Sequence, residues 1–250
     1  MAWVIQMQNY QLILAYDGSR YQGWQGQGNT SNTIQAKVQA VLERMCAQPV
    51  TLQASGRTDA GVHAQGQVVS CQLETELSCP EILAYLNRYL PEDIGALSIT
   101  AAGPRFHARL SARGKVYAYR IWNSPLPDVF GRKYRYALPQ PLDLAAMERA
   151  ARLLEGEHDF RSFCGLTRYK KSTVRRIDAI SIRREGEVVT LRFRGNGFLN
   201  RMVRILSGTL VEVGLGRRRA DSIPDLFTQK RAEAGVLMPA KGLCLMEVVY

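Results

Sequence analysis

The sequence predicts an α+β fold built from two mixed halves. Segments with apolar residues at every second position alternate with segments in which they recur every three to four, and both kinds occur before and after residue 110. Asp-Gly, Glu-Gly and proline-rich stretches punctuate them. Hydrophobic residues make up 46% of the 250 positions, enough for a packed core and too many for a disordered chain.

Taken in order, Tyr10–Tyr16 reads as a buried strand running into a turn at Asp17-Gly18. After a Gly/Gln/Asn-rich loop from Gly23 to Asn32, the apolar spacing of Ile34, Val38, Val41, Leu42 and Met45 predicts a helix over 33–46. Asn32 is its expected N-cap, with Gln35 three residues on. A short strand at 51–54 leads into a loop at 55–64, and 67–73 alternates as the next strand. Ser78-Cys79-Pro80-Glu81 has the form of a capping box with proline in the first turn, so a helix is expected over 79–90, then a strand at 96–101.

The second half has the same style, without a recognisable sequence repeat. Lys115–Trp122 alternates, with Val116, Ala118, Arg120 and Trp122 expected on one face and Lys115, Tyr117, Tyr119 and Ile121 on the other. Residues 123–141 hold Pro125, Pro127, Pro139 and Pro141 and read as a long connection. Asp143 is placed to cap a helix at 144–155, and strands at 175–184 and 188–194 are joined by Glu185-Gly186. A strongly periodic helix from Phe198 to Val213 ends at Gly214, and 243–250 closes the chain as a strand. The expected division is an N-terminal subdomain over 1–109 and a C-terminal subdomain over 110–250.

Charge separates the halves. Net charge is +11, yet residues 1–109 hold 7 Lys/Arg against 8 Asp/Glu, while 110–250 hold 26 against 14. A basic half of this kind suits a polyanion, because neutralising phosphates releases condensed counterions; a merely solvated basic surface is the alternative. No apolar run approaches the roughly 20 residues of a membrane span. The N-terminus lacks the basic and apolar regions of a signal peptide, so a cytoplasmic protein is expected. Cys46, Cys71, Cys79, Cys164 and Cys244 are odd in number and scattered, which argues against a disulfide framework or a zinc site. His63, His107 and His158 are far apart and lack ligand spacing, so no metal is expected.

The loop Ser55-Gly-Arg-Thr-Asp-Ala-Gly-Val-His-Ala-Gln-Gly66 stands out. Its glycines allow tight backbone geometry, and Arg57 and Asp59 sit two positions apart between strands. By its own physics Asp59 is either a functional carboxylate or an ordinary turn residue that satisfies local N–H groups.

The ordered set of motifs resembles the bacterial tRNA pseudouridine synthase A family along essentially the whole chain. The matching segments are Tyr16-Asp17-Gly18, Gly23-Trp24-Gln25-x-Gln27, Thr33-Ile34-Gln35, residues 56–64, Phe106-His107-Ala108-Arg109, Lys115-Val116-Tyr117, His158-Asp159-Phe160 before Ser162-Phe163, Gly197-Phe198-Leu199 before Met202-Val203-Arg204, and Pro239-Ala240-x-Gly242-Leu243. The resemblance implies the pseudouridine synthase fold: two α/β halves sharing a mainly antiparallel sheet, helices on it, and a cleft between. It implies isomerisation of uridine to pseudouridine without a cofactor. The expected substrate is the tRNA anticodon stem-loop at positions 38–40, bound by a homodimer. Asp59 takes the place of the catalytic nucleophile, attacking the sugar or the uracil ring. It must be ionised to attack, so a cation is expected nearby, with Arg57 and Arg204 the candidates. Arg204 is expected on the polar side of its helix, with Asn200, Ser207 and Gly208. Tyr117 takes the place of the active-site tyrosine. Because C1′ and C5 of a stacked uridine are out of reach, the nucleotide must flip out, with Arg57 placed to fill the gap.

Arg168, Lys170, Lys171, Arg175 and Arg176 form the expected phosphate-contacting cluster; Arg217-Arg218-Arg219 is equally a phosphate site or a solvated face. Arg161, Asn200-Arg201 and Met238 depart from the family pattern, away from Asp59, Tyr117 and Arg204. Two other functions fit the same features: modification of another RNA such as ribosomal RNA, or a non-catalytic RNA-binding or chaperone role.

Overall fold

The computed structural model describes residues 7–26, 28, 30–166 and 171–250. The chain divides into two compact units. One runs to Ala112 and takes back Leu245–Tyr250; the other spans Arg113–Cys244.

The first unit begins with β1 (Gln8–Tyr16), followed by α1 (Ile34–Cys46), β2 (Leu52–Ala54), β3 (His63–Leu73), α2 (Cys79–Tyr89) and β4 (Ile94–Ala101). Its strands lie in the order β4-β1-β3-β10, where β10 is Leu243–Val249, and β2 adds beside the far end of β3. β1 pairs antiparallel with both β3 and β4, Leu12 facing Val69 on one side and Ile99 on the other. All three of these residues are buried. α1 and α2 touch each other, and α2 lies against β4.

Two expectations for this unit need correcting. The cap of α1 is Thr33, whose Oγ1 accepts the Ala36 N–H at 3.3 Å. Asn32 instead donates its side-chain amide to the Arg20 carbonyl at 2.7 Å, and Gln35 accepts from the Gly26 N–H at 3.0 Å, so both tie down the preceding loop. β3 starts at His63, four residues before the alternating pattern, because Ala64 already pairs with Tyr16 of β1. The capping box of α2 forms as expected: the Ser78 N–H and hydroxyl both donate to Glu81 Oε2, at 2.8 and 2.6 Å.

The second unit contains β5 (Gly114–Trp122), β6 (Tyr136–Ala137), α3 (Leu144–Leu154), β7 (Gly156–Asp159), β8 (Val174–Glu185), β9 (Val188–Gly195) and α4 (Met202–Gly214). Its order is β5-β9-β8-β7, antiparallel throughout, with β6 parallel to β5. Asp143 caps α3, its Oδ1 accepting the Ala146 N–H at 2.9 Å. The alternation of β5 does not separate a wet face from a dry one, since Val116, Tyr117, Ala118 and Tyr119 are all buried. β6 and β7 are too short to leave a periodic signal in the sequence.

α4 departs furthest from expectation. It begins at Met202 rather than Phe198, because Arg201 takes a left-handed conformation (φ 59°) that interrupts the helix. It has no solvated polar face. Every residue except Arg204 and Glu212 is buried, including Ser207 and Gly208. Ser207 and Thr209 return their hydroxyls to the carbonyls of Val203 and Ile205, at 2.8 and 3.0 Å, so no polar group is stranded. A Cβ at Gly208 would collide with the Val236 carbonyl. Hydroxyl and glycine on a helix are cues to close packing as much as to solvent.

Candidate active site

The loop after β2 turns at Asp59, whose backbone carbonyl accepts the Val62 N–H at 3.1 Å. Gly61, third of the four turn residues, has φ 77°, as a type II turn requires. Asp59 is half-buried and Arg57 exposed.

Side chains from β1 and β3 grip this loop from within. Gln67, on the face of β3 shared with Val69, Cys71 and Leu73, is fully buried. Its Oε1 accepts the Ser55 hydroxyl at 2.8 Å, and its Nε2 donates to the Gly56 carbonyl at 2.9 Å and to Tyr16 Oη at 3.3 Å. Tyr16 Oη lies 2.9 Å from Thr58 Oγ1. From the other side, the Trp24 N–H donates to the Thr58 carbonyl at 3.0 Å. Gly23, at φ 85°, lies so close that an added Cβ would stand 2.7 Å from the Thr58 oxygen and 3.1 Å from the Asp59 carbonyl carbon. His63 is tied in as well: its Nδ1 accepts the Gly18 N–H at 3.0 Å. The same nitrogen lies 3.2 Å from the Asp17 carboxylate.

In the second unit, Tyr117 projects from β5 and meets Phe198 edge to face, with ring centroids 5.3 Å apart. Arg204 stands on the first turn of α4, half-buried, and its Nε donates to the Met238 carbonyl at 2.6 Å. That contact goes through backbone, so the unusual side chain at Met238 leaves it intact. Tyr119 donates its hydroxyl to the Pro239 carbonyl at 2.8 Å. Burial pushes the Tyr119 hydroxyl far above its ordinary range, with the Arg204 charge opposing that rise, so Tyr119 keeps its proton. The other departures are also absorbed: the Asn200 carbonyl accepts the Gly165 N–H at 2.9 Å, and Arg161 opens a single 3₁₀ turn.

The basic cluster divides. Arg168 and Lys170 lie outside the described residues. Lys171 is exposed. Arg175 folds its guanidinium onto the carbonyls of Ser172 and Val174, at 2.9 and 2.6 Å, and Arg176 pairs with Asp178 at 2.8 Å. In the second cluster Arg218 pairs with Glu212 and Arg219 with Asp221, at 3.0 and 2.5 Å. The histidines serve local structure: His107 Nδ1 accepts the Arg109 N–H at 3.1 Å, and His158 stacks on Phe227 at 4.1 Å.

Sequence reasoning placed Tyr16 in a motif but missed the grip of Tyr16, Ser55 and Gln67 on the loop. The available signal was a glutamine sharing an otherwise apolar strand face, where a polar side chain must find partners.

The fold is α+β, with a mainly antiparallel set of strands in each unit. A family model for tRNA pseudouridine synthases matches residues 12–110 and 150–250. The chain is 44% identical over 241 residues to the tRNA pseudouridine synthase A of Moorella thermoacetica, covering 96% of this chain and 98% of that protein. It is 42% identical over 245 residues to the tRNA pseudouridine synthase A of Bacillus sp. (strain KSM-64), covering 98% and 100%. The chain belongs to the tRNA pseudouridine synthase family.

Proposed function

We propose that the protein isomerises uridine to pseudouridine in tRNA, at positions 38–40 of the anticodon stem-loop, with Asp59 as nucleophile. The family match, which runs through the Asp59 loop, carries this reading. The Asp59 carboxylate adds to the sugar C1′ or to the uracil ring of a flipped-out nucleotide. The bond from C1′ to N1 breaks, the base turns, C1′ bonds to C5, and the bond to the Asp59 carboxylate breaks, which frees the carboxylate again. C5 gives up its hydrogen as a proton and N1 gains one, so the reaction is a net isomerisation that consumes no cofactor.

Arg204 holds the Asp59 carboxylate through paired hydrogen bonds and keeps it ionised. Tyr117 stacks on the uridine and assists proton transfer. Arg57 fills the space that the flipped nucleotide leaves. Arg168, Lys170, Lys171, Arg175 and Arg176 contact phosphates. Residues 1–109 bring the nucleophile and 110–250 the tyrosine, the arginine and most of the charge. Two copies act together on one RNA in the cytoplasm.

The test is release of tritium from tRNA labelled at uracil C5, since that hydrogen leaves only if the isomerisation occurs. Asp59→Asn, with deamidation excluded by mass spectrometry, is expected to lower the rate by about 10³-fold or more. An active Asp59→Asn protein overturns the nucleophile assignment.

A further inference from the structure

We propose that Tyr16, Gln67 and Ser55 form a buried positioning relay that sets the Asp59 carboxylate for attack, acting on it through Thr58 and Gly56. This rests on the reading of Asp59 as the nucleophile.

The hydrogen-bond directions at Gln67 are fixed by chemistry. The Gln67 carbonyl oxygen can only accept, so the Ser55 hydroxyl donates to it. The Gln67 amide nitrogen can only donate, and gives its hydrogens to the Gly56 carbonyl and to Tyr16 Oη. Tyr16 accepts from Gln67, and its hydroxyl and that of Thr58 share a hydrogen bond at 2.9 Å in which either can be the donor. Ser55, Gln67, Tyr16 and Thr58 are all buried. Every contact the relay makes on the loop falls next to Arg57 or Asp59 or one residue further back: Gly56 precedes Arg57, and Thr58 precedes Asp59.

Stability alone is a poor reason for such an arrangement. The neighbours on β3, Val68 and Val69, are apolar, and an apolar residue at 67 would bury there without needing polar partners. What buried polar groups supply is direction, since each bond fixes an angle as well as a distance. Thr58 is held three ways: at its hydroxyl by Tyr16, at its carbonyl by the Trp24 N–H, and by the close approach of Gly23. With Thr58 immobilised and the next turn closed by the bond from Val62 to the Asp59 carbonyl, the backbone at Asp59 has little room to move. A nucleophile displaced by about 1 Å loses on the order of 10²-fold in rate.

The experiment uses the full chain and labelled tRNA, and reads kcat, KM and the thermal midpoint for Tyr16→Phe, Thr58→Val and the double variant, with Asp59→Asn alongside. Both single changes keep shape and remove only a hydroxyl or its equivalent. Each is expected to lower kcat by about 10- to 100-fold while KM for tRNA stays within about threefold. The double variant should be no slower than the worse single, because both break one link. Thr58→Ser, which restores the hydroxyl, should recover most of what Thr58→Val loses. Single variants with kcat within about twofold of the native enzyme, or losses that multiply in the double variant, overturn the relay. If that happens while Asp59→Asn is inactive, the relay falls and the nucleophile stands. An active Asp59→Asn removes both.

Discussion

The Asp59 loop and the α4 region hold their key side chains by opposite means. In the first unit, a loop is fixed by buried side chains that bond to its backbone at Gly56 and to its hydroxyls at Ser55 and Thr58. In the second, Arg204 stands on a helix that is already rigid because it is buried nearly all round, and its Nε donates to the Met238 carbonyl. The loop takes its precision from directional polar bonds; the helix takes it from apolar packing. Around them, the first unit is nearly charge-neutral and the second strongly basic. The buried polar bonds that hold the loop and the excess of positive charge thus fall in different halves.

The contrast can be broken most sharply at Arg204. Arg204→Lys keeps the charge but loses the planar fork, and kcat should fall by about 10²-fold with folding intact. A lysine variant with native kcat, in the tritium assay, would show that charge alone is needed there. Gly23→Ala probes the other side. The new methyl would meet the Thr58 oxygen at 2.7 Å from a backbone at φ 85°, so the protein should lose about 1–3 kcal/mol in urea unfolding, and kcat should fall with it. The basic surface sets a smaller effect. Arg175→Gln should lower the slope of log affinity against log salt by about 0.7–0.9 if that side chain meets a phosphate. Arg176→Gln should do less, because its charge is already shared with Asp178. Titration of tRNA binding over a salt series separates the two.

The smallest effect concerns pH. Bonds from Ser78 hold the Glu81 carboxyl below its ordinary 4.5. A depressed folded value means that the contribution is complete above the ordinary carboxylate range and is lost as pH falls through the lowered value. Glu81→Gln should flatten that part of the acid limb in a series of thermal melts, with little change near neutrality.

Much of this was legible in the sequence because the signals were local. The strands at β1, β4, β8 and β9, the capping box at Ser78, the Asp143 cap and the Gly186 turn (φ 56°) each follow from a few adjacent residues. What was not legible depends on distant partners. Thr33 rather than Asn32 caps α1 because Asn32 is committed to Arg20, across the loop. Ser207 and Gly208 read as a polar stripe until the 235–236 segment is seen packed on Gly208 and Thr209. The Asp59 loop was recognisable as a motif, yet the residues that hold it were not, since Tyr16, Ser55 and Gln67 meet only when β1 and β3 pair.

β10 has one more consequence, which concerns biosynthesis. Residues 245–250 are translated only after all of 113–244, and they belong with the first unit. Until they emerge, β3 lacks one of its neighbours, the Ala108 carbonyl lacks the Tyr250 hydroxyl that donates to it at 2.7 Å, and Phe106 lacks the ring of Tyr250. A chain leaving the ribosome ordinarily folds its first domain first. Here the unit carrying Asp59 is started before the other and completed only after it, so its strand set cannot be finished before residues 113–244 have been made.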